Sequence, residues 1–136
     1  MIALDTNVLV RFVTQDDPDQ GRLVTELFQG LTAEDPAFIC RETILELVWV
    51  LGKTYGYSRS DIARVLEMLL ASRELEVENS DALGAIVGLY EARGFDFADL
   101  MIRQISHARG AAPLVTFDRL PAQLDGVDLL GWAKIS

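Results

Sequence analysis

The chain has 136 residues and a formal net charge of −9, from 21 acidic and 12 basic side chains. That length makes one domain, 1–136, with enough chain to bury a core, and the acidity argues against nucleic-acid binding by bulk electrostatics, which relies on Lys and Arg neutralising phosphates. A single cysteine, Cys40, excludes an internal disulfide and a cysteine-based zinc site.

No apolar run approaches the roughly 20 residues that cross a bilayer. The N-terminus lacks the basic flank of a signal peptide. We therefore expect a soluble, cytoplasmic protein with no membrane contact. Ten of the twelve basic residues are Arg, with only Lys53 and Lys134 besides. Arginine suits bidentate contacts to carboxylate or phosphate.

In chain order, Met1-Ile2-Ala3-Leu4-Asp5-Thr6-Asn7 reads as a buried strand that ends in an acid and turns into a helix. Taken alone, the cheapest role for Asp5, Thr6 or Asn7 is to cap that helix. Pro18 then opens a second helix to about Leu31, with Leu23, Val24, Leu27, Phe28 and Leu31 as its apolar face. Ala37 to Cys40 is a second strand, with Cys40 a buried structural thiol. Arg41 to Thr54 is so apolar between Ile44 and Leu51 that the helix should be buried, drawing Glu46 inward and placing Trp49 in the core.

Ser58 and Asp61 resemble a capping box for a helix to about Ser72. Leu75 to Glu78 alternates as an edge strand. A helix from Ser80 stops at Gly94. Phe95-Asp96-Phe97-Ala98-Asp99 opens the next, which runs to Arg109. Pro113 to Thr116 and Val127 to Leu130 are the last strands. His107 is alone and reads as a surface or half-buried residue, and Trp132 could pack on the sheet or meet a partner. Strands alternating with helices of this length predict an α/β fold with a parallel sheet.

The acids fall at matching places. Asp5 and Asp118 each follow a strand, and parallel strands present their carboxyl ends on one edge, where ligands bind in such sheets. Glu46 lies on the helix after the second strand. Asp96 and Asp99 share the first turn of a helix, nearly on one face. Each has a plainer role: Asp118 in a turn, Asp96 against a helix dipole, Glu46 paired with an Arg. Together they are a stronger signal, because carboxylates crowded into one cleft repel and a divalent cation relieves that. Oxygen-only ligands point to Mg²⁺ or Mn²⁺.

The pieces Leu4-Asp5-Thr6-Asn7, Glu46-Leu47, Phe97-Ala98-Asp99-Leu100-Met101-Ile102 and Thr116-Phe117-Asp118-Arg119 together resemble a PIN-domain ribonuclease, of the VapC type that serves as the toxin of toxin–antitoxin modules. The resemblance spans nearly the whole chain. It implies a three-layer α/β/α fold with a parallel sheet of about five strands, Mg²⁺-dependent hydrolysis of RNA phosphodiester bonds, and inhibition by a cognate antitoxin. Carried over by position, Asp5, Glu46, Asp99 and Asp118 match the catalytic, metal-holding acids. Asp96 is an additional candidate, and Asn7 and Thr116 match supporting polar positions. Arg11 and Arg119 are candidates to contact substrate phosphates. The larger Met101, Arg103 and Gln104 depart from the small residues common there and put the shape of the substrate groove in question. The helices up to Ser72 offer apolar surface for an expected homodimer, for the antitoxin, or simply for the core.

Two other readings compete. One is a haloacid-dehalogenase-like phosphatase with Asp5 as nucleophile. It would normally have a second Asp where this chain has Asn7, and neither lysine stands near the later acids. The other is a non-catalytic partner-binding domain, against which the presence of every acid weighs.

Overall fold

The computed structural model describes residues 1–131; Trp132 and Lys134 lie outside the described residues. The chain forms two compact units, Met1–Gly84 and a second beginning at Ala85. Among the described residues both strand pairs are parallel, as the alternation of strands and helices predicts.

In the first unit, helices α1 (Thr6–Thr14) and α2 (Pro18–Gln29) precede strand β1 (Ala37–Ile39), and α3 (Arg41–Lys53) and α4 (Arg59–Ala71) precede β2 (Leu75–Val77). Ala37 stands opposite Leu75 and Ile39 opposite Val77. The N-terminal segment joins the other side of β1 as a single parallel bridge at Ala3. There the Phe38 N–H donates to the Ile2 carbonyl at 2.7 Å and the Leu4 N–H to the Phe38 carbonyl at 3.0 Å. The expected first strand is thus a two-bond bridge. The described residues hold four strands in two pairs rather than five in one sheet.

Leu9, Ile39, Ile44, Leu47, Leu51, Leu66 and Leu69 are completely buried. On α3, Ile44, Leu47, Val48 and Leu51 recur at helical spacing and form one inward stripe. That spacing leaves Glu46 and Trp49 on the other side. Trp49 is 62% exposed and Glu46 is exposed as well, so the expectation that both lie inside is corrected. One stripe is all a helix on a single core needs; of the remaining apolar residues of α3, Leu45 and Val50 are half-buried and Trp49 is exposed. Likewise α2 buries only Gly21 and Val24, while Leu23 and Leu27 are exposed.

Helix starts follow the side chains that cap them. Asp17 accepts from the Asp19 and Gln20 N–H groups before Pro18, and Ser58 accepts from the Asp61 N–H at 3.1 Å. Cys40 is half-buried at the start of α3, its sulfur 3.3 Å from the Thr43 hydroxyl.

The second unit contains most of α5 (Ser80–Arg93), α6 (Phe97–Ala108), and strands β3 (Leu114–Thr116) and β4 (Val127–Leu129) linked through a 3₁₀ turn at Pro121–Gln123. Phe95, Phe97 and Leu100 are its most deeply buried side chains. The Tyr90 ring meets Phe97 edge-on, centroids 5.5 Å apart. Two side chains of α6 tie down the turn before β4: the Arg103 Nε–H donates to the Asp125 carbonyl at 2.8 Å, and His107 Nε2 lies 3.1 Å from the Gly126 carbonyl. His107 is half-buried and structural. Among the described residues no helix is long and apolar enough to cross a membrane.

Candidate functional site

The sequence-predicted site residues fall into two groups, one in each unit. In the first, the chain leaves the bridge at Ala3, buries Leu4, and turns at Asp5 into α1. Asp5 has extended backbone and its carboxylate accepts from the Thr6 N–H at 2.7 Å. Asp5 is therefore the cap of α1, one of the three residues for which that role was expected.

Thr6 does something else. It is 8% exposed, and its hydroxyl donates a short hydrogen bond to Oε1 of Glu46 on α3. The β-branched threonine is stiff about its first side-chain torsion, and this bond holds an otherwise exposed carboxylate in place. Asp5, Thr6, Asn7, Arg11, Glu46 and Tyr55 all line one open cavity of about 330 Å³.

In the second unit, Asp96 caps α6, accepting from the Ala98 N–H at 3.2 Å, which is the plainer of its two expected roles. Asp99 lies within the first turn and is half-buried. Burial pushes its carboxyl above the ordinary carboxylate range, and the negative charges of Asp96 and Asp118 push it further the same way. Asp118 is exposed beyond β3, and its N–H donates to the Thr116 hydroxyl at 3.1 Å. Thr116 thus shapes the turn that carries Asp118. Asp96 joins this group through its charge as well as its cap. Phe117 and Arg119, on either side of Asp118, are exposed.

Both groups suit a hard divalent cation. Every donor is oxygen, and Asp99 is a carboxylate held where its own charge is unfavourable, which a cation would relieve. Within neither unit do three such side chains form a ready-made cage among the described residues, although the charges of Asp96 and Asp118 bear on Asp99. Charge acts over longer distances than coordination does, so the two facts are compatible. Magnesium usually keeps several waters and needs only one or two carboxylates from the protein. The donor set fits it.

Two contributors were not anticipated. Thr6 was legible only as a cap, although its place beside Asp5 gave a hint. Tyr55 was legible only as a helix end, and nothing in the local pattern signals that its hydroxyl would meet Arg11, 44 residues earlier. One expectation follows from the first. Thr6→Val keeps the shape of the side chain and removes the donor to Glu46. If Glu46 acts in the chemistry, it should lower kcat/KM about 10–100-fold with an unchanged circular dichroism spectrum, and full activity would show that the Glu46 orientation is immaterial.

Comparison with known proteins matches residues 2–127 to the PIN domain. A VapC ribonuclease of Aquifex aeolicus (strain VF5) is 28% identical over 120 residues, spanning 88% of this chain and 88% of that protein.

Proposed function

We propose that this chain, which belongs to the PIN-domain family, is a Mg²⁺-dependent endoribonuclease and the toxin of a type II toxin–antitoxin pair. The family's fold is a three-layer α/β/α arrangement, and the parallel strands between helices agree with it. The observation that carries the reading is the state of Asp99. It is a half-buried carboxylate with its pKa raised by burial and by two neighbouring acids, at the position where the family motif has an acid. Similarity to a protein named VapC ribonuclease supports the choice of RNA as substrate.

In this reading Asp5, Glu46, Asp99 and Asp118 would hold one or two Mg²⁺, directly or through water, with Mn²⁺ as a substitute. The chemistry such an ion would supply is a lowered pKa for a bound water and stabilisation of charge developing on the phosphate. The chain's own work is to place the carboxylates. Thr6 fixes Glu46 by its hydroxyl. Asp5 is fixed by its bond to the Thr6 N–H, and Thr116 fixes the backbone at Asp118. Asn7 is at the cavity wall, placed to support the site through its side-chain amide. Arg11 and Arg119 contact substrate phosphates. The whole of 1–136 works as one domain in the cytoplasm, as a homodimer, with the antitoxin as its protein partner.

The experiment is metal removal. Purified protein should cut structured RNA in MgCl₂, stop in excess EDTA, and recover when MgCl₂ or MnCl₂ is restored. Equal cutting in EDTA would overturn the metal-dependent reading. Absence of cutting under every metal condition would overturn the ribonuclease reading.

A further inference from the structure

The cavity that holds Asp5 and Glu46 has one basic residue among its described lining, Arg11. Its guanidinium is held from three directions. Nε–H donates to Gln20 Oε1 of α2 at 2.6 Å, Nη1–H donates to the Tyr55 hydroxyl at 3.1 Å, and Nη1 lies 3.4 Å from Asp16 Oδ1. The holders are themselves held. The Tyr55 hydroxyl donates to Asp16 Oδ2 at 2.8 Å, and the Thr14 hydroxyl donates to Asp16 Oδ1 at 2.8 Å. Asp16 is kept below the usual carboxylate range by the Thr14 and Tyr55 hydroxyls, with Arg11 adding to the effect. The second terminal nitrogen of Arg11, Nη2, takes part in none of these bonds.

Stability does not explain such an arrangement well. Partly exposed ion pairs contribute little, and immobilising an arginine costs side-chain entropy. Entropy lost during folding need not be lost again on binding, which is the benefit of a preorganised contact. The other charged residues of the cavity, Asp5 and Glu46, are both acidic, and the chain as a whole carries −9, so Arg11 is the one cationic side chain among the described lining that a phosphate could meet.

We propose that Arg11 is a preorganised clamp for a backbone phosphate of RNA at the Asp5–Glu46 cavity, and that Tyr55, with Asp16 and Gln20, is a positioning residue that aims it. The substrate class rests on the ribonuclease reading above, whereas the anion clamp rests on the geometry alone.

The test pairs binding with cleavage. The probe is a fluorescently labelled single-stranded RNA oligonucleotide of mixed sequence, titrated in CaCl₂ across a salt series and then cleaved in MgCl₂. Arg11→Ala should weaken binding about tenfold and lower the slope of log K against log salt by roughly 0.7, the value of one single-strand phosphate contact. KM for cleavage should rise in parallel while kcat changes less than about threefold. Tyr55→Phe, which removes only the hydroxyl, should weaken binding about threefold with an unchanged melting temperature.

Binding of Arg11→Ala with the wild-type affinity and salt slope overturns the clamp, even if the protein cuts RNA. Wild-type binding by Tyr55→Phe overturns the positioning role. Arg11-dependent binding without any cleavage supports the clamp and overturns the ribonuclease reading instead. A wild-type protein that fails to bind the probe overturns both.

Discussion

Asp99→Asn should abolish cleavage and at the same time make the protein more stable at neutral pH. Burial and the charges of Asp96 and Asp118 raise the Asp99 carboxyl above its ordinary range. The folded state therefore binds the Asp99 proton more tightly than the unfolded chain does. A group of this kind stabilises the fold fully below its unfolded pKa, near 4 for Asp, and that stabilisation is lost as pH rises through the higher folded value. At pH 7 the ionised Asp99 thus works against folding. Asparagine keeps the shape and removes the charge.

The melting temperature of Asp99→Asn should accordingly exceed that of wild type at pH 7, and the difference should shrink as pH falls toward the ordinary Asp range. Added MgCl₂ should raise the wild-type melting temperature, since an ion that binds only the folded state stabilises it, and should do so much less for the variant. Cleavage should fall by at least about 100-fold, because a divalent ion contributes several kcal/mol of transition-state stabilisation and each 1.36 kcal/mol is a factor of ten. A variant that melts lower than wild type at pH 7, or that cleaves normally, would mean that Asp99 serves the fold.

This trade of stability for chemistry marks a functional site better than proximity alone does. Side-chain packing favours an apolar residue at a half-buried position beside Phe97 and Leu100, both of which are almost fully buried. Under the proposed function, a cation held there offsets the cost of an acid with two more acids near it. The same logic separates Asp99 from Asp96. Asp96 has a local role as the cap of α6, and its charge adds to the field on Asp99.

The order of helices and strands was readable from sequence because each element carries its own punctuation. Pro18, Ser58, Gly94 and Asp96 sit where helices begin or stop, and Gly94 has the positive φ of 73° that favours glycine. Parallel pairing was readable because every strand is separated from the next by helix or 3₁₀ turn.

What local pattern could not convey was which side of a helix faces inward when both are apolar. Trp49 and Leu47 look alike in sequence, yet one is exposed and the other completely buried. Glu46 was expected to be drawn into the core, yet it is held by Thr6 at the surface of α3. The N-terminal strand was over-read for a related reason. Met1 and Ile2 are apolar but exposed, and pairing with β1 forms only around Ala3. Long-range polar links such as Arg11 to Tyr55 have no sequence signature at all.

Asp5 offers the cleanest single substitution, because its two roles can be separated chemically. Its side chain caps α1, and asparagine is about as good a cap as aspartate. Asp5→Asn therefore keeps the helix start, at the cost of a few tenths of a kcal/mol of helix-dipole interaction, and removes only the charge. Any large effect on activity must come from the lost carboxylate. The magnitude expected is again at least about 100-fold in kcat/KM, against a melting temperature within a few degrees of wild type.

The decisive measurement is cleavage of a structured RNA in MgCl₂ by wild-type protein and Asp5→Asn side by side, with folding of both checked by thermal melt. The account predicts cutting by wild type and essentially none by a folded Asp5→Asn; equal cutting by the two would contradict it.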